Sequence, residues 1–259
     1  HNLMITAQHT HSSTGGYSEY PLYNITIPGF IPEVYQAIVD GIVISILEAY
    51  NSKDQGQIKY NSGTFDPEIE VAFNRSIKAY NQNPEVKKKT LNEKPLALDR
   101  NMRLFRIENS ENVPIGMINW FGVHCTNISN DNHKISSDNK GYAAEYFESE
   151  IKTKYPDYNF TGIFAQEASG DVSPCYIWDK NKKWNRGKFE DDFKSARYNG
   201  KLQMEKAIDI YNNAENNDPI NGIIDNAIMY VDFSSVNPEV EFTNNTKNAH
   251  TGPSCHGVA

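Results

Sequence analysis

The chain has 259 residues, with 33 Asp and Glu against 25 Lys and Arg and a formal net charge of -8. That balance, with no Lys/Arg-rich run, excludes nucleic acid as a partner, because phosphate binding depends on clustered positive charge. The length allows one large domain or two small ones, and one is favoured. No apolar stretch approaches the roughly 20 residues that cross a bilayer, since the longest, Ile38 to Leu47, is interrupted by Asp40, Gly41 and Ser45.

The first predicted strand is Leu3 to Thr10. Pro32 to Tyr50 follows as a helix whose apolar positions cover so much of its circumference that burial in the core is expected. A helix is predicted over Pro67 to Asn81, then strands over Met102 to Glu108 and Ile115 to Thr126, a helix over Lys140 to Tyr155 and a strand over Phe160 to Gln166. Phe189 to Ala214 is the most polar helix and so the one expected to be most exposed. Asn212 to Asn221 reads as a surface loop and Ala227 to Phe233 as a last strand. Strands alternating with helices predict an α/β layered domain with a mixed central sheet flanked by helices.

Cys125, Cys175 and Cys255 allow at most one internal disulfide and form no CxxC pair. Sequons at Asn24, Asn74, Asn127, Asn159 and Asn244 are weak evidence for secretion, since about three or four arise by chance in a chain so rich in Asn, Ser and Thr. The chain opens on His1 without a signal-like segment, so its natural amino terminus is expected to have been removed or never supplied.

His9 and His11 end the first predicted strand, where residues two apart share a face with Cα atoms about 7 Å apart. Both imidazoles would then address one cavity, and Gly15-Gly16 lets the chain turn away from it. His124 ends another predicted strand, at the kind of sheet edge where open α/β folds place their sites; a core histidine bonded to backbone is the alternative. Ser173, in Gly170-Asp171-Val172-Ser173-Pro174, lies on a loop after a strand. There is no GxSxG elbow or nearby His to make it a triad nucleophile, and by itself such a segment is more often an ordinary turn. Arg75 falls inside a predicted helix, as a solvated charge or as a guanidinium that orients a polar substrate group. Lys140 opens a helix that Ser137 or Asp138 would cap, and reads as structural.

Taken together, these segments resemble the neutral, non-lysosomal ceramidases. His9-Thr10-His11-Ser12 with Gly15-Gly16-Tyr17 looks like that family's HTHSGPGG. Asn74-Arg75-Ser76 with Ala79-Tyr80 and Asn83-Pro84 looks like NRSPxAYxxNP, and Asn119 to His124 with Thr126 looks like NWFAVHGTSM. Ile135 to Ala143 is similar to LISxDNKGYA, and Gly170 to Pro174 to GDVSPN. The five run in family order across most of the chain.

The resemblance implies hydrolysis of the ceramide amide to sphingosine and a fatty acid at one zinc ion held by two His, one Glu and one Tyr. Carried over by motif, His9 and His124 are zinc ligands, His11 a polariser or acid beside the metal, Arg75 an organiser and Ser173 the serine of the amidase motif. Zinc-activated water is expected to attack, with Ser173 hydrogen-bonding to substrate; a serine-nucleophile amidase and an inactive lipid-binding homologue are the alternatives. The Glu and Tyr ligands are expected beyond residue 259. Residues 1–259 would then be the amino-terminal part of a catalytic domain, truncated at its carboxy end and without a complete second domain. A sphingolipid substrate, contact with a membrane surface and a secreted or membrane-associated location follow from the same resemblance. Departures are Ser13-Thr14 for Gly-Pro, Cys125 for the Gly after His124, and Cys175 for the Asn closing the amidase motif.

Overall fold

A computed structural model describes residues 3–253. Its centre is a four-stranded sheet of β1 (Gly56–Thr64), β3 (Asn101–Asn109), β4 (Pro114–Trp120) and β5 (Thr161–Ala165), in the order β1-β3-β4-β5. The first two pairings are antiparallel and β4–β5 is parallel, so the mixed sheet expected from sequence is present. The parallel pair needs a crossover, and α3 (Asp138–Lys154) provides it. A two-residue ladder joins β2 (Phe73–Asn74) to β6 (Val172–Ser173), and β7 (Ile177–Asp179) pairs with β8 (Trp184–Arg186).

Along β3, alternate residues Met102, Leu104, Arg106 and Glu108 are buried, as a half-covered strand requires. They face α3 and α4 (Asp192–Asn213), whose Phe147, Ile151, Ala207, Ile210 and Tyr211 complete one core with Met117, Phe121 and Phe164. Glu108 is held among cations on this buried face, its carboxylate accepting from Arg106 Nε at 2.6 Å and Lys59 Nζ at 3.0 Å. Gly63 allows α4 to approach β1, since a Cβ there would lie 2.9 Å from Ile210 Cγ1.

Several elements differ from the sequence reading. The apolar helix α1 (Pro32–Asn51) forms as expected, yet none of its residues is buried. Polar α4, expected to be the most exposed, buries eight: Ser195, Ala196, Asn199, Gly200, Gln203, Ala207, Ile210 and Tyr211. Mean polarity does not report which face packs: Asn199 Nδ2 donates to Val71 O and Gln203 Nε2 to Asn139 Oδ1 and Asn199 Oδ1, while Gln203 Oε1 is buried without a partner among the described residues. The helix predicted over Pro67 to Asn81 is reduced to α2 (Ile77–Tyr80), because Phe73 and Asn74 are drawn into pairing with β6. Residues 3–9 join no ladder, and residues 227–233 remain without sheet partners, with Ile228, Met229 and Tyr230 exposed. Part of the predicted loop is instead docked, since Ile220 N donates to Ile58 O on β1. Cys255 lies outside the described residues.

Candidate metal centre

His9 does not end a strand. Its φ is 65°, a left-handed conformation uncommon outside glycine, and the chain regains sheet-like contact only at Thr10, which bridges Cys125 in parallel. Side chains fix this arm: Gln8 Nε2 donates to Phe164 O at 3.2 Å, and Thr10 Oγ1 donates to Ser136 O at 2.7 Å. The two imidazoles still converge, by this bend and not by strand alternation. Ring centroids are 4.8 Å apart for His9–His11, 4.7 Å for His9–His124 and 5.4 Å for His11–His124.

His124 lies four residues past the end of β4, buried, with its backbone N–H donating to Val172 O at 3.1 Å. Its Nδ1 is 2.6 Å from Ser169 O and 3.1 Å from Val172 O. A carbonyl can only accept, so Nδ1 carries the hydrogen and Nε2 presents a lone pair. That lone pair faces His9 Nε2 at 3.1 Å. Two imidazole nitrogens so close need a proton or a cation between them. Tetrahedral zinc, with Zn–N distances near 2.0–2.1 Å, separates two nitrogen ligands by about 3.3 Å.

Burial lowers the proton affinity of His11, and the positive charge of His9, His124 and Arg75 lowers it further. Burial likewise lowers His124, opposed by the carbonyls of Ser169 and Val172. Both are therefore biased towards the neutral form that a metal ligand requires.

The β2–β6 ladder brings the other two candidate segments together. Arg75 is not helical: it follows β2, its backbone N–H donating to Asp171 O at 2.8 Å and its Nη2 to Gly170 O at 2.7 Å. Its charge is felt at both His11 and His124. Buried Asn74 donates to Asp171 Oδ2 at 2.6 Å and Ala97 O at 2.8 Å. Ser173 Oγ accepts from Cys175 N at 3.0 Å and lies 3.5 Å from Cys175 O; among the described residues no imidazole is bonded to it. A cleft of about 860 Å³ opens over His9 and His11, lined also by Gly15, Tyr17, Tyr20 and Ile27 among others.

Residues 1–259 match the family described as neutral/alkaline non-lysosomal ceramidase, N-terminal. The chain belongs to that family. It is 35% identical to the neutral ceramidase of Pseudomonas aeruginosa over 93% of its own length and 34% of that protein's. It is 34% identical to the neutral ceramidase of Mycobacterium tuberculosis over 99% of its own length and 39% of that protein's. The crystal structure of the Pseudomonas aeruginosa neutral ceramidase superposes with a TM-score of 0.75 at 32% identity, over 92% of this chain and 35% of that one. A ceramidase complexed with C2 matches equally well, at a TM-score of 0.75 and 32% identity over 34% of its length. The chain thus spans about a third of the relatives it matches.

In this ceramidase-family chain, His9, His11 and His124 are a possible metal site, their candidate ligand atoms all within 4.8 Å of one another. The facing Nε2 atoms and the tautomer imposed on His124 fit the donor chemistry of an ion such as zinc, which ordinarily takes at least three protein ligands. The carbonyls of Ser169 and Val172 play the orienting role that metal-bound histidines usually require, and as backbone groups they leave no trace in sequence. The two departures at cysteine are chemically quiet: burial pushes the Cys125 thiol up to about 11 and the Cys175 thiol up to about 12. Among the described residues both are free, and as thiols they are poor nucleophiles. Two of the five sequons, Asn74 and Asn127, are buried and cannot be modified in the folded protein.

Proposed function

We propose that this chain forms the amino-terminal part of the catalytic domain of a zinc-dependent amidohydrolase that cleaves the N-acyl amide of ceramide. The observation that carries the reading is the 3.1 Å approach of His9 Nε2 to His124 Nε2 beneath an open cleft. His9 and His124 would hold the ion, with further ligands supplied by sequence outside this chain. Bound there, zinc supplies Lewis-acid polarisation of the amide carbonyl and acidifies water.

The chain's own groups do the rest. His11, kept neutral by its surroundings, stands beside the ligand pair to pass a proton or to donate to the developing oxyanion. Arg75, tied to Gly170 O, holds the β2 and β6 segments together and adds positive potential. Ser173 is engaged in its own turn, which favours a hydrogen bond to substrate over covalent attack. A lipid substrate reached from a membrane surface, and a secreted or membrane-associated location, belong to the same proposal.

The test is ceramide hydrolysis by the protein that carries this chain. Chelation and His124→Ala should each abolish turnover, with zinc restoring only the chelated wild type. Full activity after chelation, together with an acyl adduct on Ser173, would instead establish the serine mechanism.

A further inference from the structure

We propose that the buried pair Asn139–Lys140, at the head of α3, is a positioning device that fixes His124 with its Nε2 lone pair towards His9; this rests on the reading of His124 as a metal ligand. Lys140 is completely buried. Its ammonium donates to Phe121 O at 2.7 Å and Ala165 O at 3.3 Å, the carbonyls at the carboxy ends of the parallel strands β4 and β5. Among the described residues no carboxylate lies in ion-pair range of it. His124 comes three residues after the first carbonyl, and Ser169, whose own carbonyl orients the His124 ring, four after the second. One side chain therefore clamps the roots of both the histidine and the group that sets its tautomer.

Asn139 holds the histidine's own backbone. Its Nδ2 donates to His124 O and to Asn127 Oδ1, both at 2.9 Å. Its Oδ1 accepts from Gln203 Nε2 at 3.2 Å, which ties the device to α4. Gly200 makes this approach possible, because a Cβ there would stand 2.7 Å from Asn139 O. Burying an ammonium with two carbonyls and the Phe121 ring, 5.5 Å away, but no carboxylate is costly, and an apolar chain of similar volume would stabilise the fold better. What the lysine adds is direction: two donors aimed at two strand ends.

Neither residue reaches the cleft, so the readout must be the state of His124. Imidazole nitrogen NMR of the metal-free protein reports the tautomer, and chelator competition reports zinc affinity. Lys140→Met and Asn139→Asp are compared with Lys59→Met, which removes a buried cation from Glu108 on β3, away from the histidines. We expect the first two to mix the His124 tautomers and weaken zinc binding by about tenfold or more, while Lys59→Met lowers the melting temperature and changes neither. Wild-type tautomer and wild-type zinc affinity in both site variants would overturn the proposal, as would equal weakening by Lys59→Met. If Lys140→Met does not fold, Asn139→Asp decides by the same two readouts. If the wild-type protein binds no zinc, the metal reading fails and the tautomer measurement alone decides the positioning role.

Discussion

Lys140 makes a prediction that depends on neither substrate nor metal. Burial pushes its ammonium from 10.5 down to about 7, so between those values the unfolded chain holds a proton that the folded chain has released. Stability then rises with pH across that window, at up to about 1.4 kcal/mol per pH unit for one proton. The two buried thiols act oppositely. Raised from 9.0 to about 11 and about 12, they keep protons that the unfolded chain loses, and above about pH 9 they cancel the gain. The net expectation is an increase of roughly 1–1.5 kcal/mol between about pH 7 and about pH 8.5, then a plateau and a decline. The assay is urea denaturation under reducing conditions, followed by tryptophan fluorescence. In Lys140→Met the rise should vanish, leaving a flat or slightly falling profile. A wild-type profile that is flat from about pH 7, or a rise that survives in Lys140→Met, refutes the assignment of a buried, proton-releasing lysine.

Three further outcomes follow from the geometry. Glu108→Gln leaves Lys59 with only the Glu215 carbonyl and Arg106 with only the Tyr211 carbonyl and the 3.7 Å contact to exposed Glu215, and should lower stability by about 3 kcal/mol, read from the urea midpoint; a loss under about 1 kcal/mol would mean the cluster is effectively solvated. Gly200→Ala forces a methyl group against Asn139 O and should cost about 1–3 kcal/mol, with no change expected if α4 can slide away. The His124 ring should titrate by NMR below 6.5, the direction its burial imposes, and a midpoint at or above 6.5 would remove that support for a neutral ligand.

Strong periodicity and strand-length apolar runs located β3, β5, α3 and α4 to within a few residues, because those segments carry the core. Composition misled where the partner surface decides. The apolar run of α1 reads as a core helix, yet none of its residues is buried and only a few, such as Val34, Val39 and Ile46, are half-covered. The polar α4 is buried with Gln203 Nε2 donating to Asn199 on its own helix and to Asn139 at the head of α3, and Asn199 Nδ2 to Val71 O. The three histidines were legible from the motifs, although the strand ends expected at His9 and His124 are absent. The reason they meet was not, since it lies in a left-handed His9 and in backbone carbonyls that any residue could carry. Asp138-Asn139-Lys140 was visible only as part of an expected cap, yet Ser137 at the N-cap makes no side-chain cap bond. The signal for another role was a lysine in register with the apolar Ala143, Phe147 and Ile151.

The claim at the centre is that His9 and His124 share one zinc ion, and metal stoichiometry tests it most directly. The protein carrying this chain, purified without chelator and measured by elemental analysis, should hold one zinc per molecule, and His9→Ala and His124→Ala should each reduce that to a small fraction while His11→Ala retains most of it. Stoichiometric zinc in both ligand variants, or none in a wild-type protein that hydrolyses ceramide, would contradict the account.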